Sequence, residues 1–308
     1  MVSFVSLCLV LATAATCFAP YHWVADLLAN LRVQQVMVLI LFGAGLVIFR
    51  RWRWSAAMGA CLVVHLPWLL AGGQAMGISE AAEKSLTVMV FNVLTHNHRH
   101  DDVIADIKGH APDVVAILEL SSSLAAELET RLGVDYPHRI VRPMDAGNFG
   151  IGIFSKHPIE QAEVFTLNTE IESIAATFSV AGTRYRLFAT HPLPPMGKRN
   201  FELRNAHLDQ LAARVQQANV RETLPTIVVG DLNVTPWSPH FLQFVKAAGL
   251  YRASGRFSLT PTWYRFPAFP FGLVLDHVLV GEGLRAIEHT VGPEIGSDHR
   301  SVTVSVGV

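Results

Sequence analysis

Gly230-Asp231-Leu232-Asn233-Val234-Thr235-Pro236 sets a carboxylate and a carboxamide two residues apart where an apolar run ends. The run before it, Leu224-Pro225-Thr226-Ile227-Val228-Val229, is short, β-branched and stopped by glycine, as expected of a buried strand that meets a turn. Alone, the pair reads as an Asx turn whose side chains satisfy nearby backbone groups. Other apolar runs end in the same manner. Asn92 follows the run 86–91, Glu119 follows 114–118 and His191 follows 185–190, while Asp276, Asp298 and His299 lie near the C-terminus. This set is rich in oxygen donors and carries two imidazoles. A hard cation such as Mg²⁺, with Mn²⁺ as the alternative, takes carboxylate oxygens and keeps several waters. Zinc would call for a motif such as HExxH, and the sequence has none. A cation on a phosphate, an oriented water and a group for the leaving oxygen are the parts that phosphate-ester hydrolysis needs.

These groups have to be held by strands. The pattern strand–Asn92, helix over 101–110, strand–Glu119 predicts two neighbouring strands whose polar ends share an edge, the place where α/β sheets bind ligands. Ser121-Ser122-Ser123 caps a second helix through Leu124, Leu128 and Leu132. Shorter alternating runs at 138–141, 151–155, 163–167, 174–180 and 185–190 predict antiparallel strands. Ser238-Pro239-His240 opens a helix that Gly249 closes. The run 273–280 predicts a strand with Asp276 in its middle, a costly place for a carboxylate unless it is partnered; His299 is the expected partner. Thr260 to Phe271 is crowded with proline and aromatic rings, so it cannot be a central strand. It reads as a loop packed on the domain, or as a substrate wall or membrane-touching patch.

The first part of the chain is different. Hydrophobic residues make up 51% of the whole and charged ones only 16%, and the apolar excess is concentrated before residue 72. Three apolar runs, 1–19, 33–49 and 55–71, are each near the minimum that spans a bilayer. Arg50-Arg51-Trp52-Arg53-Trp54 separates the last two and reads as a cytoplasmic loop. The expected organisation is a membrane anchor of about three transmembrane helices over 1–72, a linker over 73–85, and a catalytic domain over 86–308 outside the cytoplasm. All three cysteines lie in the anchor, so the rest can hold neither a disulfide nor a Cys-based metal site. Residues 1–84 hold five basic and three acidic groups, leaving 19 against 22 beyond, which argues against unspecific binding of nucleic acid.

The ordered motifs FN (Phe91-Asn92), LEL (Leu118–Leu120), ATH (Ala189–His191), GDLN (Gly230–Asn233), LDHVLV (275–280) and SDHRSV (297–302) resemble the endonuclease/exonuclease/phosphatase superfamily, deoxyribonuclease I-like, over residues 86–308. The resemblance implies a four-layer α/β sandwich of two mixed β-sheets flanked by helices. It implies Glu119 as principal metal ligand, with Asn92 supporting metal or phosphate and Asp298 binding metal or positioning His299. Asp231 would orient or deprotonate the attacking water, and Asn233 would hydrogen-bond phosphoryl oxygens. His191 would assist the phosphate or leaving group, and Asp276 would orient His299. The expected partner is a phosphate ester, with a phospholipid headgroup favoured. An extracytoplasmic nuclease is the alternative, and a non-enzymatic binding module the second; the complete motif set argues against the latter.

Overall fold

The computed structural model describes residues 2–73, 75, 77–79, 86–264 and 271–307. The apolar N-terminal part forms four helices where three were expected: α1 (Val2–Thr16), α2 (Trp23–Asn30), α3 (Arg32–Ile48) and α4 (Trp52–Gly73). The extra helix, α2, is short because polar residues interrupt the apolar pattern. His22 caps its start, Nδ1 accepting from Val24 N at 3.3 Å, and Asp26 and Asn30 lie one turn apart. Among the described residues α4 alone is long and apolar enough to cross a membrane; α2 and α3 qualify only as a pair bent by 66°, and α1 has 15 residues. Arg32, at the bend, is fully buried and donates to Thr16 Oγ1 at 3.2 Å.

Two sheets follow. The first begins with β1 (Leu86–Asn92), crosses through α5 (His100–His110) to the parallel β2 (Val114–Leu118), and continues through α6 (Ser122–Leu132) to β3 (His138–Arg142) and β4 (Ile151–Ser155). The second contains β5 (Ile159–Thr166), β6 (Glu172–Val180) and β7 (Thr183–Ala189) as an antiparallel meander. Helix α7 (Lys198–Arg221) then carries the chain to β8 (Thr226–Asp231), parallel to β7. Helix α8 (Pro239–Ala248) is capped by Ser238 and ends at Gly249 in the left-handed conformation, leading to β9 (Leu250–Arg252). The aromatic stretch contributes a two-stranded ribbon, β10 (Trp263–Tyr264) with β11 (Gly272–Leu273). Phe266 and Phe269 lie outside the described residues, and Phe271 is exposed. Strand β12 (Asp276–Gly281) enters between β8 and β9, while β13 (Arg285–Val291) and β14 (Val302–Gly307) return to the first sheet.

The sheet orders are β13-β14-β1-β2-β4-β3 and β5-β6-β7-β8-β12-β9. Alternation of side chains sorts them into layers. Leu86, Val88 and Val90 of β1 meet Ile227 and Val229 of β8 between the sheets. Met89 and Phe91 face α5 and α6, and Val228 faces α7 and α8. The result is the expected sandwich of two mixed sheets with helices outside.

The helices of the N-terminal part pack on this sandwich. Asp26 Oδ2 accepts from Arg204 Nη2 of α7 at 2.6 Å, with both side chains fully buried. Asn30 Oδ1 accepts from Thr235 N at 2.7 Å, and its carbonyl accepts from Trp237 Nε1 at 2.9 Å. Val33 with Trp237 and Val274 forms a small core that Met37, Trp68 and Leu69 complete. Gly72 is forced at the contact: a Cβ there would lie 2.6 Å from Pro236 O. Breaking a buried ion pair leaves one charge uncompensated. The full chain with Asp26→Ala is therefore expected to lose about 3–5 kcal/mol in denaturant unfolding. Asp26→Leu combined with Arg204→Met is expected to recover most of that loss.

Candidate active site

The topology explains why the polar residues meet. The carboxyl ends of the parallel pairs β1–β2 and β7–β8 lie at one edge of the sandwich, and the antiparallel β12 and β14 start there. Asn92 ends β1 and Glu119 follows β2. His191 follows β7 by two residues, Asp231 ends β8, and the 297–299 turn precedes β14. Asp276 is the first residue of β12, paired in register with Asp231, rather than mid-strand as the sequence suggested. The chain between Leu273 and Asp276 leaves the sheet, because Thr262 Oγ1 accepts from the backbone N–H of both Leu275 and Asp276 at 3.0 Å. The carboxylate therefore sits at the sheet edge, beside its histidine.

Asn92 joins the two halves of the floor. Its Nδ2 donates to Glu119 Oε1 at 2.9 Å and to Asp231 Oδ2 at 3.2 Å. His191 Nε2 and His299 Nε2 approach the same Asp231 oxygen at 3.4 and 3.5 Å. Asp276 Oδ2 lies 2.8 Å from His299 Nδ1, the partnership expected from sequence. Asn233 N donates to Asp231 Oδ1 at 2.9 Å, and Asn233 Nδ2 donates to Pro192 O at 3.0 Å. Glu119 (φ 56°) and Asn233 (φ 51°) both adopt left-handed backbone, a conformation that costs a non-glycine residue about 1 kcal/mol and is held by its surroundings. Gly230 allows the backbones to close here, since a Cβ would lie 2.0 Å from Thr190 O. Asp298 is exposed at the rim, its Oδ2 accepting from Trp263 Nε1 at 2.8 Å.

Charge is shared across this floor. Burial works against ionised His299, but the carboxylates of Asp276 and Asp231 outweigh it and raise the imidazole to about 10. Burial would likewise raise Asp231; the His299 charge and the His191 hydrogen bond overcome it and hold the carboxyl at about 2. Burial raises Glu119, with the nearby Asp231 charge adding to it. Asp231 is thus ionised and His299 an imidazolium at neutral pH.

Asp231, Asp276 and His299 can bring ligand atoms within 4.8 Å of one another. The interior of that group is already taken up by the His299–Asp276 hydrogen bond. A hard cation fits better on the cleft side, where the carboxylates of Glu119 and Asp231 converge through one amide. Glu119, raised by burial and by its neighbour's charge, is the group there that a cation would relieve. His191 Nδ1 and Thr95 Oγ1 are buried without hydrogen-bond partners among the described residues.

A cleft of about 730 Å³ opens above this floor, lined by Glu119, His191, Asp231, Asn233, Asp298 and His299. Leu27 and Asn30 of α2 line it as well. These two, with the Asp26–Arg204 support behind them, were not found from sequence. Arg204 Nη1 also donates to Asn233 O at 2.8 Å, so α2 braces the turn that carries Asp231 and Asn233. One signal was available, since Asp26 is the only acidic residue before Glu80. Ser297 is a further support, donating to Asn92 O at 2.7 Å and accepting from His299 N at 3.0 Å.

A family model described as Endonuclease/Exonuclease/phosphatase family matches residues 89–299. No match is found among curated proteins. Among solved structures, truncated Caenorhabditis elegans TDP2 is similar at TM-score 0.60 and 18% identity, over 73% of this chain and 98% of that one. Sphingomyelinase C from Streptomyces griseocarneus is similar at 0.57 and 19% identity, over 72% and 99%. The Bacteroides thetaiotaomicron mannosyl-6-phosphatase Bt3783 is similar at 0.59 and 18% identity, over 73% and 100%. At these identities the likeness concerns the fold.

A ligand that binds only the folded state raises stability by mass action. Mg²⁺ or Mn²⁺ at one hundred times its dissociation constant is expected to stabilise the chelator-treated protein by about 2.7 kcal/mol. Thermal melts of the full chain check this, and Glu119→Gln is expected to lose most of the increment.

Proposed function

Because the chain belongs to the endonuclease/exonuclease/phosphatase family, we propose that it is a divalent-metal-dependent phosphoesterase that hydrolyses a lipid headgroup outside the cytoplasmic membrane. The observation that carries this reading is the convergence of Asn92, Glu119, His191, Asp231 and the His299–Asp276 pair on one floor. Glu119, supported by Asn92, would hold Mg²⁺, with Asp298 reaching it from the rim. The bound ion would supply Lewis-acid stabilisation of charge on the phosphoryl oxygens. Asp231 stays ionised, and its low proton affinity suits it to orient the attacking water rather than to store the proton. Asn233 keeps one amide hydrogen for a phosphoryl oxygen. The His299 imidazolium would donate to the phosphate or the leaving oxygen, and Asp276 fixes its orientation and keeps it charged. His191, its ring tilted by 48° against Phe149 with centroids 5.3 Å apart, would assist the phosphate or the leaving group.

Membrane attachment is part of the proposal. Helices α3 and α4 run away from the catalytic sandwich and return to it, so their Arg50–Arg53 turn lies about 25 Å from it. Arginines at the far end would belong on the cytoplasmic side, which supports the reading that the sandwich lies outside. Two similar folds, a sphingomyelinase and a sugar phosphatase, support a phosphate ester without choosing between diester and monoester.

The test uses the full chain in lipid nanodiscs with DNA, RNA, sphingomyelin, phosphoinositides and a generic diester, in Mg²⁺, Mn²⁺ or EDTA. Metal-dependent turnover of a lipid is expected, falling on the order of 10³-fold in Asp231→Asn. Turnover of nucleic acid alone would make the protein a nuclease, and none at all a binding module. Asp276→Asn removes the carboxylate that raises His299, so the imidazole should drop from about 10 toward its ordinary value. The alkaline limb of kcat against pH is therefore expected to move down toward neutrality.

A further inference from the structure

We propose that the cleft takes a phosphate ester bearing an apolar chain drawn from the bilayer, and that α2 is the wall against which this chain lies. The inference rests on the phosphoesterase reading and names its substrate class. Above the polar floor the cleft is lined by Leu27, Phe149, Pro195, Met196, Leu273 and Leu275. Among the described residues that line it there is no lysine or arginine. A groove for a nucleic-acid strand needs cations along the backbone path, and this one has apolar surface in their place. A polar end beside an apolar wall matches an ester whose phosphate and chain are adjacent.

The wall has two features that fit it for selection. It comes from residues 27 and 30, outside the matched family region of 89–299, so it is an addition to the catalytic sandwich. It is also fixed. Asp26 and Asn30 are bonded to Arg204, Thr235, Trp237 and Ser238, so the helix cannot swing aside to admit a wide, flat substrate. The source of the chain follows from what adjoins α2. Arg32 opens α3 two residues after α2 ends, and the last turn of α4 touches Pro236, so the cleft lies at the end of the apolar helices. Met196 stands at its mouth, 64% exposed. An amphiphile sliding out of the hydrocarbon meets apolar surface before it meets the floor.

The experiment uses full chain in nanodiscs with alkyl 4-nitrophenyl phosphates, the alkyl group being methyl, hexyl or dodecyl, all below their micelle threshold. Each methylene buried is worth about a fourfold gain, so three buried methylenes give about 60-fold in kcat/KM. The dodecyl-to-methyl ratio is expected to reach at least that, and to fall about tenfold or more in Leu27→Glu. Met196→Glu, at an exposed loop position, is expected to lower the ratio without the folding risk of a change in α2. Metal-dependent hydrolysis with a flat ratio overturns this inference and leaves the phosphoesterase reading intact. If no ester turns over, that reading fails, and calorimetric binding of dodecyl phosphate against methyl phosphate decides the wall by itself: equal affinities overturn it. Equal rates for dodecyl ester carried in the enzyme's own bilayer and offered from solution would overturn the bilayer as its source.

Discussion

Opposite charges that neutralise one another away from water are what the rest of the site depends on. Asp231 is almost completely buried, a position in which an isolated carboxylate would take up a proton. It stays ionised because His299 and His191 approach one of its oxygens, and His299 stays charged because Asp276 lies behind it. The arrangement works only where ends of strands from both sheets reach the same edge. The two parallel pairs, one in each sheet, bring that about. The sandwich thus serves as a frame that sets six polar side chains within a few ångströms of one another.

Much of this was legible in the chain. Asn92, Glu119, His191 and Asp231 could be read because each terminates a run of apolar residues, and a buried strand has few other places for a polar side chain. His299 could be paired with Asp276 because a carboxylate next to an apolar run requires a partner. Asp276 itself was misplaced within its strand, since the run 273–280 looks continuous while Thr262, across the aromatic ribbon, takes the N–H groups of Leu275 and Asp276. Strand β13 passed unnoticed because Arg285–Val291 is an edge strand with few buried positions. Helix α2 was lost for a different reason: its meaning lies in Arg204 and Thr235, nearly two hundred residues away, and no local pattern carries that.

The helices before residue 74 are bound to the sandwich by a fully buried ion pair and by side-chain hydrogen bonds to the turn after Asp231. Arg204 reaches Asp26 with one nitrogen and Asn233 O with another. A single guanidinium therefore ties the first helices to the residue that would meet the phosphate. The same helix that braces the turn also lines the cleft, so on the proposed reading one element would serve both the chemistry and the choice of substrate.

That guanidinium also imposes an order in time. Asp26 and Arg204 are 178 positions apart, so during synthesis the carboxylate leaves the ribosome long before its partner exists. Closing so long a loop carries an entropic cost that is met only once both partners are present. Until it closes, the turn bearing Asp231 and Asn233 lacks its brace, and a half-made chain cannot present a finished site. Maturation of the site is thereby coupled to the arrival of Arg204, and α2 waits on a partner made much later.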